Sequence, residues 1–409
     1  MAKLPDSRER RRIVPDYRLC GEDVAACRRF PDTVSQAQSR QDPHGYLTDD
    51  FGYLAECTTV TLPGGRENRN VFNVNLPLRA LLPKGLRGIA VVGLGAGIER
   101  DVVSITRMQA DLMNMGYGAG IAACMAAKGD GDFRRIDLAA LREALVAKGI
   151  IRAETLAWKD DDDVSSDAVI AASVASLPDG FRGSHVLYRP ENRARAIPLL
   201  RAAYGAESDR LSRQVYALAL GLMGDATGVD TLVAVVSGKE RIEHVRRGSR
   251  DIGGFMGGGR AYSGGDPFDG FMLALGRTRD RRAAAPLLAQ LAKVRPGALL
   301  DEVRTVALAL EALGDPAAAE PLARLLRAEG MGGHAVAHVS DLPPTGGYGV
   351  SDEYDLCFRE LAIARALMAC GDFEGVARRT YEQYARDPRG LLSAHAKEVL
   401  AKYGYPVKR

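Results

Sequence analysis

The chain has 409 residues, of which 46% are hydrophobic and 26% charged, so it is too long for one ordinary core and reads as two or three folded domains, not as a disordered polymer. A formal net charge of +3 is too small to make nucleic acid or an anionic membrane an obligatory partner.

The first residues, MAKLPDSRERRR, are followed by no apolar core, so they do not form a secretory signal. The longest apolar runs, residues 89–98 and 119–127, are too short to cross a bilayer. The six cysteines (Cys20, Cys27, Cys57, Cys124, Cys357 and Cys370) contain no CxxC pair and read as reduced thiols of a cytoplasmic protein.

Residues 88–92 form a short, partly β-branched apolar run that predicts a strand, and it leads into a glycine loop containing Gly93, Gly95 and Gly97. A helix is expected from about 104 to 128. Strand, glycine loop and helix is the order that presents backbone amides to a phosphate or a flavin. The third glycine falls one position short of GxGxxG, so the loop alone is a weak signal. The helix has a small-residue stripe of Gly116, Gly120, Cys124 and Ala127 beside an apolar one of Ile105, Met108, Leu112 and Met115. Glycine within a helix costs about 1 kcal/mol relative to Ala, so the stripe predicts close approach by a sheet, a second helix or a cofactor. A shorter helix follows, with Asp137 as its cap, Leu138, Leu141 and Leu145 as its face, and Gly149 at its end.

Residues 156–190 lack a clear period and read as a linker, with a short Ala-rich helix candidate at 167–177. Their acidic run, 160–163, is expected to be solvated, because consecutive carboxylates point in different directions and suit a metal poorly. From about 191 to the end, four segments share one pattern of apolar helical run, turn and second apolar run: 216–236, 271–291, 306–326 and 362–381. Gly224, Gly314 and Gly371 suit a left-handed helix end. Asp225, Asp315 and Asp372 suit the next cap, and Pro316 suits a first helical turn. Leu287, Leu288 and Leu291 share a stripe, as do Leu322, Leu325 and Leu326. No single helix pair buries such a stripe, so the pattern predicts an α-solenoid, with a degenerate fifth unit near 194. Insertions at 248–270 and 330–354 interrupt it. The first holds Gly257, Gly258, Gly259 and Arg260, a candidate anion nest or a plain loop tip. The second holds His334 and His338, which are four apart but in a Gly- and Pro-rich stretch instead of on one helix face, a poor arrangement for zinc.

These repeats resemble the HEAT-like repeats also found in phycobilisome-lyase-type proteins. The resemblance speaks to architecture, and a bilin-lyase function rests on it alone. In the amino-terminal part, the blocks SRERRRIVPDYRL, EDVAACRRFPDTV, QDPHG, LPLRALLPKG and the glycine loop with its helix occur in that order. Together, over residues 4–150, they resemble the carboxy-terminal end of bacterial FAD-dependent oxidoreductases of the glutathione-reductase-like flavin fold. The resemblance implies a last strand and loop beside the flavin, and a helix whose amino terminus points at the isoalloxazine ring. It implies FAD contacts from Arg79, Gly93, Gly95, Gly97, Asp101, Ser104, Ile105, Arg107 and Met108, with Asp42 and His44 on the substrate side and His44 as an acid or base. Arg8, Glu9, Arg11 and Arg12 match the arginine-rich motif of that family. The chain departs from its pattern at Leu94 (usually Arg), Gly97 (usually Ser), Arg100 (usually His), and at Pro15 and Cys27 (usually Gly).

The expected fold class is therefore mainly α: residues 1–155 as an incomplete α/β portion of an FAD domain, the linker, then a HEAT-like solenoid over 191–409. The amino-terminal GxGxxG that would hold the ADP half of FAD is not among these residues. An upstream polypeptide would supply it, or the segment is a truncated remnant, or the repeats cover its faces. Two functions follow: a flavin-dependent oxidoreductase portion fused to a helical scaffold, or a non-catalytic scaffold binding a protein partner on its repeats.

Overall fold

The computed structural model describes residues 12–40, 59–61, 67–69, 71–161, 165–179, 184–240, 267–298, 300–342 and 352–405. The described residues fall into two compact units that divide within one helix, between Ala196 and Ile197.

The first unit contains four strands, β1 (Thr33–Arg40), β2 (Thr59–Thr61), β3 (Glu67–Arg69) and β4 (Val71–Pro77). They form two antiparallel pairs, β1 with β4 and β2 with β3. In β4 the alternation of a half-buried strand is plain. Phe72, Val74 and Leu76 face the core, whereas Asn73 and Asn75 form side-chain amide bonds of 2.8 Å with Gln38 and Gln36, their register partners on β1. The helices are α1 (Gly21–Ala25), α2 (Arg100–Thr106), α3 (Gln109–Lys128), α4 (Leu138–Ala147), α5 (Asp167–Ala175), α6 (Ser184–Tyr188) and α7 (Pro190–Ala206), the last containing the division between units. Phe30, Leu81, Ile98, Ile105, Met115 and Leu141 lie at the centre of the core. Helix α3 lies on β1, and a Cβ added at Gly118 would sit 2.5 Å from the Val34 carbonyl oxygen. Asp137 caps α4 by accepting from the amides of Ala139 and Ala140, and Gly149 follows it at φ +68°.

Three expectations are corrected here. Residues 88–92 are not a strand. The Val91 amide donates to the Leu81 carbonyl, and Ile89 and Val92 are 47% and 43% exposed. A strand exists only with a ladder beside it, and among the described residues the sheet is an antiparallel pair that offers this segment none. The expected helix of 104–128 is two helices, separated where Met108 turns extended (ψ 148°). The stripe glycines make no close approach, since a Cβ at Gly116 or Gly120 would meet nothing within 4 Å; the glycine that meets β1 is Gly118, outside that stripe.

In the second unit, helix pairs follow one another as α8 (Arg210–Leu222) with α9 (Val229–Val236), α10 (Pro267–Arg277) with α11 (Ala284–Leu291), α12 (Leu300–Leu313) with α13 (Ala319–Leu326), and α14 (Asp352–Ala369) with α15 (Val376–Tyr384), followed by α16 (Gly390–Lys402). The first helices α8, α10, α12 and α14 pack in that order, and the stripe residues Leu287, Leu291, Leu322 and Leu326 are buried. This is the solenoid that the periodicity predicts. Its turns follow the expected glycine chemistry, with Gly224, Gly314 and Gly371 at φ of 84°, 66° and 113°; Asp315 and Asp372 accept backbone amides of the next element, whereas Asp225 accepts that of Thr227 in the turn before α9. The second pair is the exception. Arg279 stands where its neighbours have glycine and still holds φ +54°, a conformation that costs an L-residue about 1–2 kcal/mol.

Most of the insertion at 248–270, including Gly257, Gly258, Gly259 and Arg260, lies outside the described residues, and its last residues belong to α10. The second insertion is described to residue 342. Its start is fastened by Glu360, whose carboxylate accepts the amides of Gly333 and His334 and the Tyr384 hydroxyl, and by Asp387, which accepts the amide of Val336. Among the described residues no group of three or more His, Cys, Asp or Glu side chains is placed to hold a metal ion, and His334 and His338 do not form one. Nor is any described helix long and apolar enough to cross a membrane.

The tightest contact in the stack generates a test. A Cβ at Gly276 on α10 would lie 2.2 Å from the Ala309 carbonyl oxygen on α12. Gly276→Ala is expected to destabilise the chain by about 1–3 kcal/mol through overpacking, read as a lower denaturation midpoint. An unchanged midpoint would mean that the two helices have slack.

Candidate functional site

The glycine loop is a single 3-10 turn, Gly93–Gly95, sewn to the segment that precedes α1. The Gly93 amide donates to Met115 Sδ at 3.1 Å, Ala96 to the Gly93 carbonyl, Gly97 to the Ala80 carbonyl at 2.8 Å and Glu99 to the Leu19 carbonyl. In return the Gly95 and Gly97 carbonyls accept from the amides of Ile13 and Leu19. Leu94 packs on the core. The amides that a flavin or phosphate would use are therefore largely committed to the chain itself.

Two departures from the flavoenzyme pattern meet here. A Cβ at Gly97 would lie 2.2 Å from Pro15 Cγ and 2.9 Å from the Ala80 carbonyl oxygen. The missing side chain at 97 makes room for the proline ring at 15, so a large residue and a small one have changed places across one contact. A third departure, Cys27, has φ +46°. It keeps a left-handed conformation that glycine adopts freely and an L-residue does not.

The expected helix-terminus contacts separate. Ser104 and Ile105 are buried within α2, away from any helix start. Asp101 is in the first turn of α2, and its side chain lies outside the described residues, as do Asp42 and His44 altogether. Arg107 closes α2, and Met108 is the N-cap of α3 with no side chain capping the first amides. Of the predicted flavin contacts, this pair lies at the amino terminus of α3 and Asp101 at that of α2.

Arg79 belongs to a different arrangement. Its guanidinium lies 4.9 Å from the Tyr17 ring centre and 5.3 Å from that of Phe30, pairs with Asp160, and stands 3.5 Å from Asp32. Arg28 stacks on the same two rings and pairs with Asp23 and Asp160, Arg29 grips Asp161 with both Nε and Nη, and Arg189 reaches Asp23. Four guanidiniums thus face four carboxylates. Burial pushes the Asp32 carboxyl up, opposed by the amide and guanidinium of Arg79. Burial also opposes ionisation of Asp161, but Arg29 outweighs it and holds that carboxyl below the usual range. Burial and Asp23 push the Cys20 thiol well above its ordinary value, so it stays protonated and unreactive. The acidic run expected to be solvated is thus fastened at Asp160 and Asp161, and the stretch read as a linker carries α5, α6 and these ion pairs. Sequence reasoning missed Arg28, Arg29, Asp23 and Asp32 as a cluster. The only signal was an Arg-Arg pair and an acidic run far apart in the chain.

These residues do not fit a self-contained flavin site. The loop amides are committed, the space at Gly97 is filled by Pro15, and Arg79 is neutralised by Asp160 and Asp32.

Two tests follow. Gly97→Ser is expected to destabilise the chain, and adding Pro15→Gly to recover stability with a coupling of at least about 1 kcal/mol in a double-mutant cycle. Additive effects would mean that the two positions are independent. A lowered carboxyl pKa stabilises the fold above the unfolded-state value and loses that contribution as pH falls through the folded one. Asp161→Asn should therefore cost about 0.5–1 kcal/mol at neutral pH, and the gap to wild type should close as pH drops below about 4. A gap independent of pH would remove the ion pair as its cause.

Residues 1–145 match the family model of FAD dependent oxidoreductase, and residues 303–328 match that of PBS lyase HEAT-like repeat. No match was found among curated proteins. Among solved structures, the complex of CpcE and CpcF of phycocyanin lyase from Nostoc sp. PCC7120 is similar at 23% identity and a TM-score of 0.31, over 51% of this chain and 65% of that one. Human deoxyhypusine hydroxylase in complex with glycerol is similar at 17% identity and a TM-score of 0.22, over 70% of this chain and 99% of that one. This chain therefore spans about 65% of the length of the lyase chain that it matches. It joins a segment that matches the FAD dependent oxidoreductase model to helical repeats that include a match to the HEAT-like one.

Proposed function

We propose that this chain is a helical-repeat scaffold that binds a protein partner, and that its amino-terminal unit keeps the frame of an FAD dependent oxidoreductase segment without forming a flavin site by itself. The observation that carries this reading is the internal use of the flavin-side groups: the loop amides of Gly93, Ala96 and Gly97, the space at Gly97, and the guanidinium of Arg79 all have partners within the first unit. The repeats supply the binding role, because stacked helix pairs present extended surfaces and gain little from chemistry of their own.

A second reading has its own support. The uncapped start of α3 at Met108, the exposed Ile89 and Val92, and the open positions at Gly116 and Gly120 are features that the strands and cofactor of a flavin domain would use. In that reading FAD supplies the redox chemistry, and Arg107, Met108, Asp42 and His44 would position it and its substrate.

The visible spectrum of the purified chain, incubated with FAD and passed through gel filtration, separates the two. The expected outcome is no retained flavin band. A retained band would place the oxidoreductase reading first.

A further inference from the structure

The turn between α10 and α11 breaks three local rules at once. Arg279 holds φ +54° at the position where the other three helix pairs have Gly224, Gly314 and Gly371. Arg281 and Arg282 occupy the first turn that leads into α11, where the helix dipole disfavours positive charge. Arg277, Arg279, Arg281 and Arg282 crowd six residues that contain one acid, Asp280.

That acid is already engaged. Asp280 caps the next element through the Arg282 amide and takes a fork from Arg282 Nε and Nη, which together hold its carboxyl at about 2. Arg282 also reaches Asp230, and Arg277 is tied to the Leu222 carbonyl. Arg279 and Arg281 are exposed, and neither guanidinium has a hydrogen-bond or ion-pair partner among the described residues. With Asp280 and Arg282 they line an open surface depression. Strain and uncompensated charge that serve nothing inside the fold point to a contact outside it.

We infer that this turn is a docking site for an acidic segment of a partner protein, with Arg279 and Arg281 each receiving a carboxylate. The inference deepens the scaffold reading by naming the chemistry of the partner. Carboxylate is the favoured ligand for two reasons. Within the same turn Arg282 already grips two carboxylates, those of Asp280 and Asp230, in the fork geometry that the guanidinium prefers. Among the described residues the patch is also one turn wide, with the exposed Asp230 beside it and no continuous basic stripe, which suits a short acidic peptide better than a polynucleotide backbone.

The experiment is fluorescence anisotropy of a labelled ten-glutamate peptide titrated with the full chain at low salt. Wild type should bind with an affinity that falls as salt rises. The double variant Arg279→Gly with Arg281→Ala should bind at least tenfold more weakly while its melting temperature is equal or higher, because glycine relieves the left-handed position. Arg324→Ala with Arg378→Ala, which removes the same charge from other pairs, should leave the affinity unchanged. Absence of wild-type binding, unchanged affinity in the turn variant, or equal loss in the control variant would overturn the inference. Tighter binding of a ten-nucleotide single-stranded DNA through the same arginines would overturn the acidic-peptide assignment. Flavin retention is measured separately, so a chain that kept FAD would end the scaffold reading and leave the peptide titration to decide this site.

Discussion

Close approach of one backbone to another, at positions without a side chain, is the constraint on which both units depend. Gly118 lets α3 rest on β1 at Val34, Gly97 lets the loop approach the Ala80 carbonyl beside the Pro15 ring, and Gly276 lets α10 meet α12 at Ala309. Each contact brings main-chain atoms closer than any Cβ would allow. The apolar burial around them follows from that spacing, because side chains interdigitate only when their backbones are near enough.

In the first unit the same economy of space has a chemical consequence. The glycine loop that would cradle a cofactor is closed upon its own chain, and the arginine that would face an anion is stacked between two aromatic rings and a pair of carboxylates. Pro15 and Gly97 show how the frame has been kept while its filling changed: a ring occupies the volume that a side chain on the loop would otherwise take. Buried charge in this unit is matched, guanidinium for carboxylate, as a low-dielectric interior requires. The arrangement is one of structure first, and any ligand must compete with partners already in place.

The repeats distribute their burden differently. Each helix pair buries its stripe against the next, so the turns are left at the surface with little to do beyond capping. Three of them use glycine followed by aspartate, although in the turn after α14 Asp372 and Glu374 also hold positive φ (46° and 55°). The fourth keeps the aspartate cap and the left-handed geometry but carries arginine, which isolates the change to side-chain chemistry. Among the four turns it alone puts arginine where the others have glycine.

The sequence by itself determined the solenoid, its turns and the Asp137 cap, because apolar spacing, left-handed glycines and capping carboxylates act within a few residues of one another. The flavin-side blocks were legible only as a resemblance, which the match of residues 1–145 to the FAD dependent oxidoreductase model supports. The sequence did not determine the β1–β4 pair, whose strands are separated by thirty-odd positions, or that residues 88–92 would lack a ladder, since a strand depends on a partner and not on its own apolar run. The break at Met108 has no glycine or proline to announce it. Arg79 read as a ligand contact and Asp160 as solvated surface, each sensible for its own neighbourhood. Only the tertiary structure decided that they face one another, because Coulomb attraction and ring stacking act across space without regard to sequence distance, and they act here between residues that the chain holds eighty-one positions apart.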